Sequence, residues 1–417
     1  MKVCFLVNDL QLSGGVGVVV EHARRLAHDH GFDTALVLVR EQELPSWRYE
    51  ALADVRVLPL EDARRERFDV AVATWWETTF SLFDVPAERH AYFVQSLEDR
   101  FYRHDQAERV GAALSLDLPV AFITEARWIQ RTLQELRPGA PVHLVRNGID
   151  KSVFGSPARV EHRLDGPLRV LVEGHPGVWF KGVPDAVASV RAMREAHHLT
   201  IVTGWPEELG ELADAADRVA SQLTHREMAG VYAESDVVLK LSHVEGMYGP
   251  PLEGFHMGAT TVTTEVTGHD EYVRHGWNGV VVDWDDVRGT ARALDLLARD
   301  RRYLHFLRHN ALATARGWPS WEQAAQFMAL ALLRIRREAA PTADDSAAAL
   351  MSDLRGGIEA YREHLVERND FARQVERVER FKRIGPVGRA RAVWRSPAVQ
   401  RTVGPHVLRA AKRVLGR

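Results

Sequence analysis

Residues 235–279, SDVVLKLSHVEGMYGPPLEGFHMGATTVTTEVTGHDEYVRHGWNG, constrain the fold of this chain more than any other stretch. Residues 236–241 are a short apolar and β-branched run of the kind that becomes a buried strand. Gly246, Gly249, Pro250 and Pro251 then break the backbone, and residues 252–257 resume as helix. The product is a strand, a glycine-bearing loop and a helix start. Glu245 stands at the front of the loop and Glu253 follows after seven intervening residues, so one carboxylate lies at the loop mouth and the other in the first helical turn. Backbone N–H groups at a helix start can hold hydroxyl or phosphate oxygens, and a carboxylate can accept two hydrogen bonds from a vicinal diol. That places Glu253 for a ribose and Glu245 for a sugar. Taken alone, the pair also fits a Glu253 that caps its loop and a solvated acid at Glu245.

At 417 residues the chain is too long for one ordinary core, and two α/β domains plus an extension are expected. Apolar residues at 46% and charged residues at 27% describe a soluble globular protein. Its one cysteine, Cys4, falls in the first predicted strand, which excludes a disulfide framework within the chain. The opening run VCFLV is too short for a signal-peptide core, and no stretch approaches the ~20 apolar residues that cross a bilayer. A cytoplasmic protein is expected. Ten of the 54 Lys and Arg residues, and none of the 57 Asp and Glu, lie from Phe381 onward, which leaves the first 380 residues with a net charge of −13. Such a basic tail suits an anionic partner.

Residues 1–7 read as a buried strand, 8–17 as a polar, glycine-rich turn and 18–28 as a helix, the opening βα unit of a doubly wound sheet. In the turn SGGVG, Gly14 and Gly15 allow close backbone approach, and the following helix start supplies donors to a phosphate or an acceptor. A simple tight turn accounts for the same residues. Further strands are expected at 35–39, 55–58, 70–74, 91–95 and 120–124. Trp75, Trp76 and Glu77 directly follow the strand at 70–74, at the end where open α/β sheets bind ligands. The two indoles could form an acceptor platform, or pack into the core. Gln95, Glu98, Asp99 and His104 follow the next strand and are candidates at the cleft edge; Glu98 and Asp99 could equally be solvated loop acids.

The segment EGMYGPPLEGFHMGATTV, with Glu271 and Asn278-Gly279 beyond it, resembles the Glu-x7-Glu signature of the family 4 retaining glycosyltransferases. The resemblance covers residues 1–337 and implies an α/β GT-B fold, two Rossmann-like doubly wound domains facing across a cleft. It also implies the following roles. Glu245 and Lys181 are catalytic, and the donor side comprises Glu253, His175, Gly246, Met247, Tyr248, Gly14 and Gly15. Lys181-Gly182 matches the family's Lys-Gly before a helix, where an ammonium can stabilise charge growing on a departing diphosphate. His175 stands where the family usually has an arginine, so the charge at that position depends on pH. Relatives place a histidine or an acid at the strand end occupied here by Gln95, which leaves Gln95, Glu98, Asp99, Trp75 and Trp76 as acceptor candidates. In residues 142–154, Asn147, Gly148, Asp150 and Phe154 match the family's inter-domain junction, with Asn-Gly a turn pair and Asp150 a cap.

The expected division is an N-terminal acceptor domain at 1–155, a nucleotide-sugar domain at 156–317, a helix crossing back to the first domain at 318–340, and a helical, basic C-terminal extension at 341–417. Leu350, Leu354, Ile358, Tyr361 and Leu365 recur at helical spacing, a docking or homodimer helix within 346–380. Residues 404–417 read as a basic amphipathic helix able to lie on an anionic bilayer, which would put 381–417 at the inner face of the cell membrane; a packed surface helix or a disordered basic tail accounts for the same residues. The tail matches no nucleic-acid module. The expected activity is retaining transfer of a hexose or deoxyhexose from a nucleoside diphosphate sugar, as co-substrate, to a hydroxyl acceptor that is a glycan, glycolipid or small molecule. The setting is cell-surface polysaccharide or glycoconjugate biosynthesis. The GT-B resemblance implies no metal and no cofactor, and no His/Asp cluster with ligand spacing argues otherwise. The alternative is a non-catalytic subunit that binds a nucleotide sugar or a partner protein. A dehydrogenase is disfavoured by the missing Gly-x-Gly-x-x-Gly fingerprint.

Overall fold

The computed structural model describes residues 1–11, 13–40, 52, 54–155, 157, 160, 165–338, 351 and 353–368. Two compact units divide the chain, one of residues 1–103 and 109–355 and the other of 104–108 with 356–417. The first half runs β1 (Lys2–Val7), α1 (Gly14–His30), β2 (Asp33–Leu38), β3 (Arg56–Pro59), α2 (Leu60–Ala63), β4 (Phe68–Ala73), β5 (Ala87–Val94), α3 (Ala107–Leu114), β6 (Ala121–Thr124), α4 (Arg127–Leu136) and β7 (Val142–Leu144). Its strands form a seven-stranded sheet in the order β3-β2-β1-β4-β5-β6-β7. Every pairing in it is parallel.

The second half repeats the plan with β8 (Leu168–Glu173), α5 (Val183–Arg191), β9 (His197–Val202), β10 (Arg218–Ala220), α6 (His225–Glu234), β11 (Val237–Lys240), α7 (Pro250–His256), β12 (Thr260–Thr264), β13 (Val280–Val282), α8 (Val287–Arg299) and α9 (Arg301–Arg316). Its sheet is six-stranded, in the order β10-β9-β8-β11-β12-β13, and again wholly parallel. Both sheets are doubly wound, with order reversing between β1 and β4 in one and between β8 and β11 in the other. The strands at the middle of each sheet, β1, β4, β8 and β11, are mainly apolar, as expected where helices cover both faces.

Two helix starts differ from the sequence reading in a way that local chemistry explains. α1 starts at Gly14 and not near residue 18, because Ser13 caps it by accepting the Val16 N–H on Oγ at 3.2 Å. The cap outweighs the poor helix propensity of the three glycines that follow. α7 starts at Pro250, two residues early, since proline's fixed φ suits the first helical position, where its missing N–H costs nothing.

The chain then returns to the first half through α10 (Trp321–Arg337). Met328, Leu332 and Ile335 of this helix share one buried cluster with Val19 and Ala23 of α1 and with Phe5, Val72 and Phe93 of the first sheet. Gly148 makes the crossing feasible: a Cβ there would overlap the backbone of Trp321. Beside it, Ile149 pairs with Ser320, its N–H donating to Pro319 O at 3.1 Å, and Trp318 Nε1 donates to Asn147 O at 3.0 Å. Asp150 caps the next turn, accepting the Ser152 N–H at 2.9 Å.

In the second unit, residues 356–368 are helical, with Ile358 and Leu365 buried and Tyr361 exposed. Arg362 pairs with Glu108 at 2.9 Å. The basic segment 381–417 lies outside the described residues, as does 369–380. Among the described residues no helix is long and apolar enough to cross a membrane.

Gly148→Ala is expected to force the α10 crossing segment away from the junction and to cost about 1–3 kcal/mol by overpacking. Urea denaturation measures this; an unchanged midpoint would mean that the 318–321 segment yields freely.

Candidate active site

The switch points put two loops at the carboxyl ends of the strands, where open α/β sheets bind ligands. At the second switch point Glu173 ends β8 and Lys240 ends β11. Lys240 Nζ donates to Glu173 Oε2 at 2.8 Å and to its carbonyl oxygen at 3.1 Å. Burial works against the ammonium, but Glu173 and then Glu245 prevail and hold its pKa above the usual lysine value. Sequence reasoning passed over this pair. The available signal was a lysine inside the apolar run DVVLKL, which a buried strand tolerates only with a partner.

Lys181 lies in a short turn, Trp179–Lys181, ahead of α5. Gly182 ends the turn in the left-handed region at φ 63°, where a side chain would also overlap the Leu241 carbonyl oxygen. The lysine is thereby aimed at the mouth of the loop after β11. Its Nζ donates to Glu245 Oε1 at 2.9 Å and Oε2 at 3.1 Å. Burial pushes the Glu245 carboxyl up, yet Lys181 and Lys240 together overcome it and keep its pKa below the usual range. Glu245 is therefore a carboxylate between two ammonium groups. Glu253 falls in the first turn of α7, facing Tyr232 and His225. Burial raises its pKa, and the charge of His225 and the Tyr232 hydroxyl offset this only in part.

The loop between the two glutamates is gripped from the first half. A Cβ on Gly246 would overlap the carbonyl oxygen of Gln95 at the end of β5. Gln95 in turn donates through Nε2 to Gly15 O at 3.3 Å, so Gly15, Gln95 and Gly246 converge. Trp128 Nε1 donates to Gly246 O at 2.9 Å, and Glu125 Oε1 accepts the Met247 N–H at 3.0 Å. The other Glu125 oxygen accepts from Asn147 Nδ2 at 2.7 Å. Burial lifts the Glu125 pKa to about 8 despite these two hydrogen bonds. Glu271 completes the contact by accepting the Arg127 N–H at 2.5 Å and the Trp128 N–H at 3.3 Å, capping α4 from across the cleft. A Glu after an apolar strand carries no sequence signal for that role, because its partners are 22 and 122 positions away.

Other candidates are placed differently. Trp76 is buried, and Glu98 turns inward to accept the Trp76 N–H at 2.6 Å and the Tyr92 hydroxyl at 3.1 Å. Core packing therefore applies to Trp76, and Glu98 is not the solvated loop acid that the sequence allowed but a buried one. Trp75 and Asp99 stay partly exposed. Met247 and Tyr248 bury their side chains, with the Tyr248 hydroxyl 2.8 Å from Thr263 Oγ1, so they can present only backbone to a ligand. His175 stacks on Trp205 with ring centroids 3.9 Å apart and accepts the Gly177 N–H at 3.1 Å, whereas Lys181 pairs with Glu245. Gly14 lies in open space at the start of α1. One cluster was not legible in the sequence. Asp185, His243 and Asp285 bring one potential ligand atom each within 4.8 Å of one another, the His243 Nε2 to Asp285 Oδ1 distance being 3.0 Å.

The two facing Rossmann-like halves and the helical C-terminal region make this a GT-B protein. Residues 169–300, which span most of the second half, match the family model for glycosyl transferases group 1. The structure is similar to that of Anabaena HepE in complex with UDP and glucose, with TM-score 0.65 and 16% identity over 80% of this chain and 100% of that one. It is similar to sucrose-phosphate synthase from Thermosynechococcus elongatus, with TM-score 0.65 and 15% identity over 80% and 99%. Similarity extends to an S. aureus TarM variant in complex with fondaparinux, alpha-GlcNAc-glycerol and UDP, with TM-score 0.63 and 7% identity over 79% and 99%. At such identities the likeness is one of fold. Among curated proteins none matches the sequence.

Glu125 yields a pH signature. Its folded form keeps the proton to about pH 8 while an unfolded glutamate releases it near 4.5, so between those values the folded state binds more protons. Its contribution to stability is full below the lower value, falls as pH rises through the window, and levels off above about 8. In Glu125→Gln, which has no ionised form to bury, that part of the pH slope is expected to vanish in urea titrations between pH about 5 and about 8. Parallel slopes for the two proteins would show that Glu125 ionises freely in the folded state.

Proposed function

We propose that the protein transfers a hexose or deoxyhexose, with retention of anomeric configuration, from a nucleoside diphosphate sugar to a hydroxyl acceptor. The observation that carries this reading is the Lys181–Glu245 pair at the mouth of the switch-point loop, within the domain that matches group 1 glycosyl transferases. Two of the three similar structures described above hold UDP, which supports a nucleoside diphosphate donor. In the reaction the bond between the anomeric carbon and the diphosphate oxygen breaks and a bond to the acceptor oxygen forms. The acceptor proton passes to the departing phosphate oxygen.

Each group has a part set by its position. Lys181, with three donors and only two engaged by Glu245, can swing a hydrogen bond onto the diphosphate as negative charge develops there. Lys240, whose charge also acts on Glu245, adds positive potential to the same spot. Glu245, freed from part of its lysine contact, accepts hydroxyls of the transferred sugar. Glu253 accepts the ribose diol, and its raised pKa marks a carboxyl whose ionised form lacks enough donors until a ligand brings them. On this reading the nucleotide sugar is a co-substrate and no metal cofactor takes part. Synthesis of cell-surface polysaccharide or glycoconjugate by a protein at the cytoplasmic side of the membrane is the setting the reading favours.

Glu253→Ala is expected to weaken binding of the preferred nucleotide by ~1.5–3 kcal/mol, the worth of a hydrogen bond to a charged group. Calorimetry with UDP, GDP, ADP and dTDP measures it, and equal affinity for wild type and variant would remove the ribose role. Turnover of the corresponding nucleotide sugars is expected to fall severely in Lys181→Ala and to survive EDTA. Loss of activity in EDTA, restored by a divalent cation, would point to the Asp185–His243–Asp285 cluster and against the metal-free reading. Absence of turnover in the wild type with every donor that it binds would favour the non-catalytic alternative.

A further inference from the structure

Tryptophan is rarely left facing water, yet Trp179 is 45% and Trp284 50% exposed. They belong to a continuous aromatic band. Trp75, just past β4, stacks on Phe101 with ring planes 15° apart, and Phe101 meets Phe180 of the second half at 4.9 Å between centroids. Phe180 abuts Trp179 at 5.7 Å, Trp179 meets His243 at 6.0 Å, and His243 meets Trp284 at 5.8 Å. The band therefore crosses from the carboxyl edge of one sheet to that of the other. It also runs beside the reacting groups: Phe180 immediately precedes Lys181, and His243 precedes Glu245 by two residues. The backbone holds it in place, since the His243 N–H donates to Phe180 O at 2.8 Å and Trp179 Nε1 to Phe101 O at 3.4 Å.

Polar groups are set among these rings. His243 and Asp285 are joined at 3.0 Å, and Asp185 of α5 lies within reach of both. We propose that this band is the docking site for the sugar rings of a carbohydrate acceptor, an assignment that rests on the transferase reading given above. A sugar ring has an apolar C–H face and a rim of hydroxyls, so it needs a flat apolar surface with hydrogen-bond acceptors beside it. The exposed indoles supply the first, and the Asp185 and Asp285 carboxylates, the latter held by His243, supply the second. An acyl chain has no use for carboxylates and would pay to desolvate them. A protein partner would need a larger continuous surface than a few rings provide.

The test uses the full-length protein, a printed array of neutral and acidic oligosaccharides, and vesicles of phosphatidylglycerol. Wild type is expected to capture a subset of the glycans. Trp284→Ala and Trp179→Ala should each weaken that capture about tenfold or more, while Trp284→Phe and Trp179→Phe, which keep a flat face, retain most of it. Affinity for the preferred nucleotide should stay within about twofold in all four variants, which also shows that they fold. Nucleotide binding without glycan capture by wild type, or capture indifferent to both alanine variants, overturns the docking site and leaves the transferase reading intact. Vesicle binding that depends on the two tryptophans, in place of glycan binding, overturns it in favour of lipid. Glycan capture that depends on the band, in a protein that binds none of UDP, GDP, ADP and dTDP, would sink the transferase reading and leave the docking site standing.

Discussion

The geometry of the cleft depends on one contact, the grip of Glu125 and the start of α4 on the loop that joins Glu245 to Glu253. Glu125 takes the Met247 N–H, Trp128 takes the Gly246 carbonyl, and Glu271 returns across the cleft to cap the helix that carries Trp128. The first two satisfy backbone groups that would otherwise be buried without a partner, which costs more than the bond itself yields. The loop is consequently defined by the first half of the protein although every residue in it belongs to the second. Gly246 is the condition for that closeness, as no side chain fits between the loop and the end of β5.

Charge at the second switch point is arranged around the same loop. Lys181 and Lys240 stand against Glu173, Glu245 and Glu253, with Glu245 shared between both lysines. Carboxylates thus outnumber these two lysines by one, and burial holds the Glu253 proton more tightly than usual, which His225 and the Tyr232 hydroxyl offset only in part. The two glutamates of one loop therefore behave oppositely on titration. Glu245 sits between ammonium groups, and Glu253 sits against a tyrosine and a histidine.

Much of the frame was legible because it follows from local pattern. The apolar runs at 35–39, 70–74, 91–95 and 120–124 match β2, β4, β5 and β6 to within a few residues, since a strand covered on both faces has little choice of composition. The strand, loop and helix at 236–257 were equally plain, as was the Asn147-Gly148 junction. Candidates that failed to reach the cleft did so for a reason the chain cannot display locally. Glu98 and Trp76 follow strands at the ligand-binding end, and only the fold shows that they satisfy each other in the interior.

What the amino-acid sequence determined by itself was the alternation of strand and helix, the placing of glycine where backbone must pass close, and the spacing of Glu245 and Glu253 on one loop. These depend on neighbours in the chain. Tertiary structure alone decided that Glu125, Lys240 and Glu173 belong to the site, that His175 rests on Trp205, and that Trp179 and Trp284 form one surface with Trp75. Those pairings join residues tens to more than a hundred positions apart, and their strength comes from burial, which exists only once both sheets have formed and closed on each other.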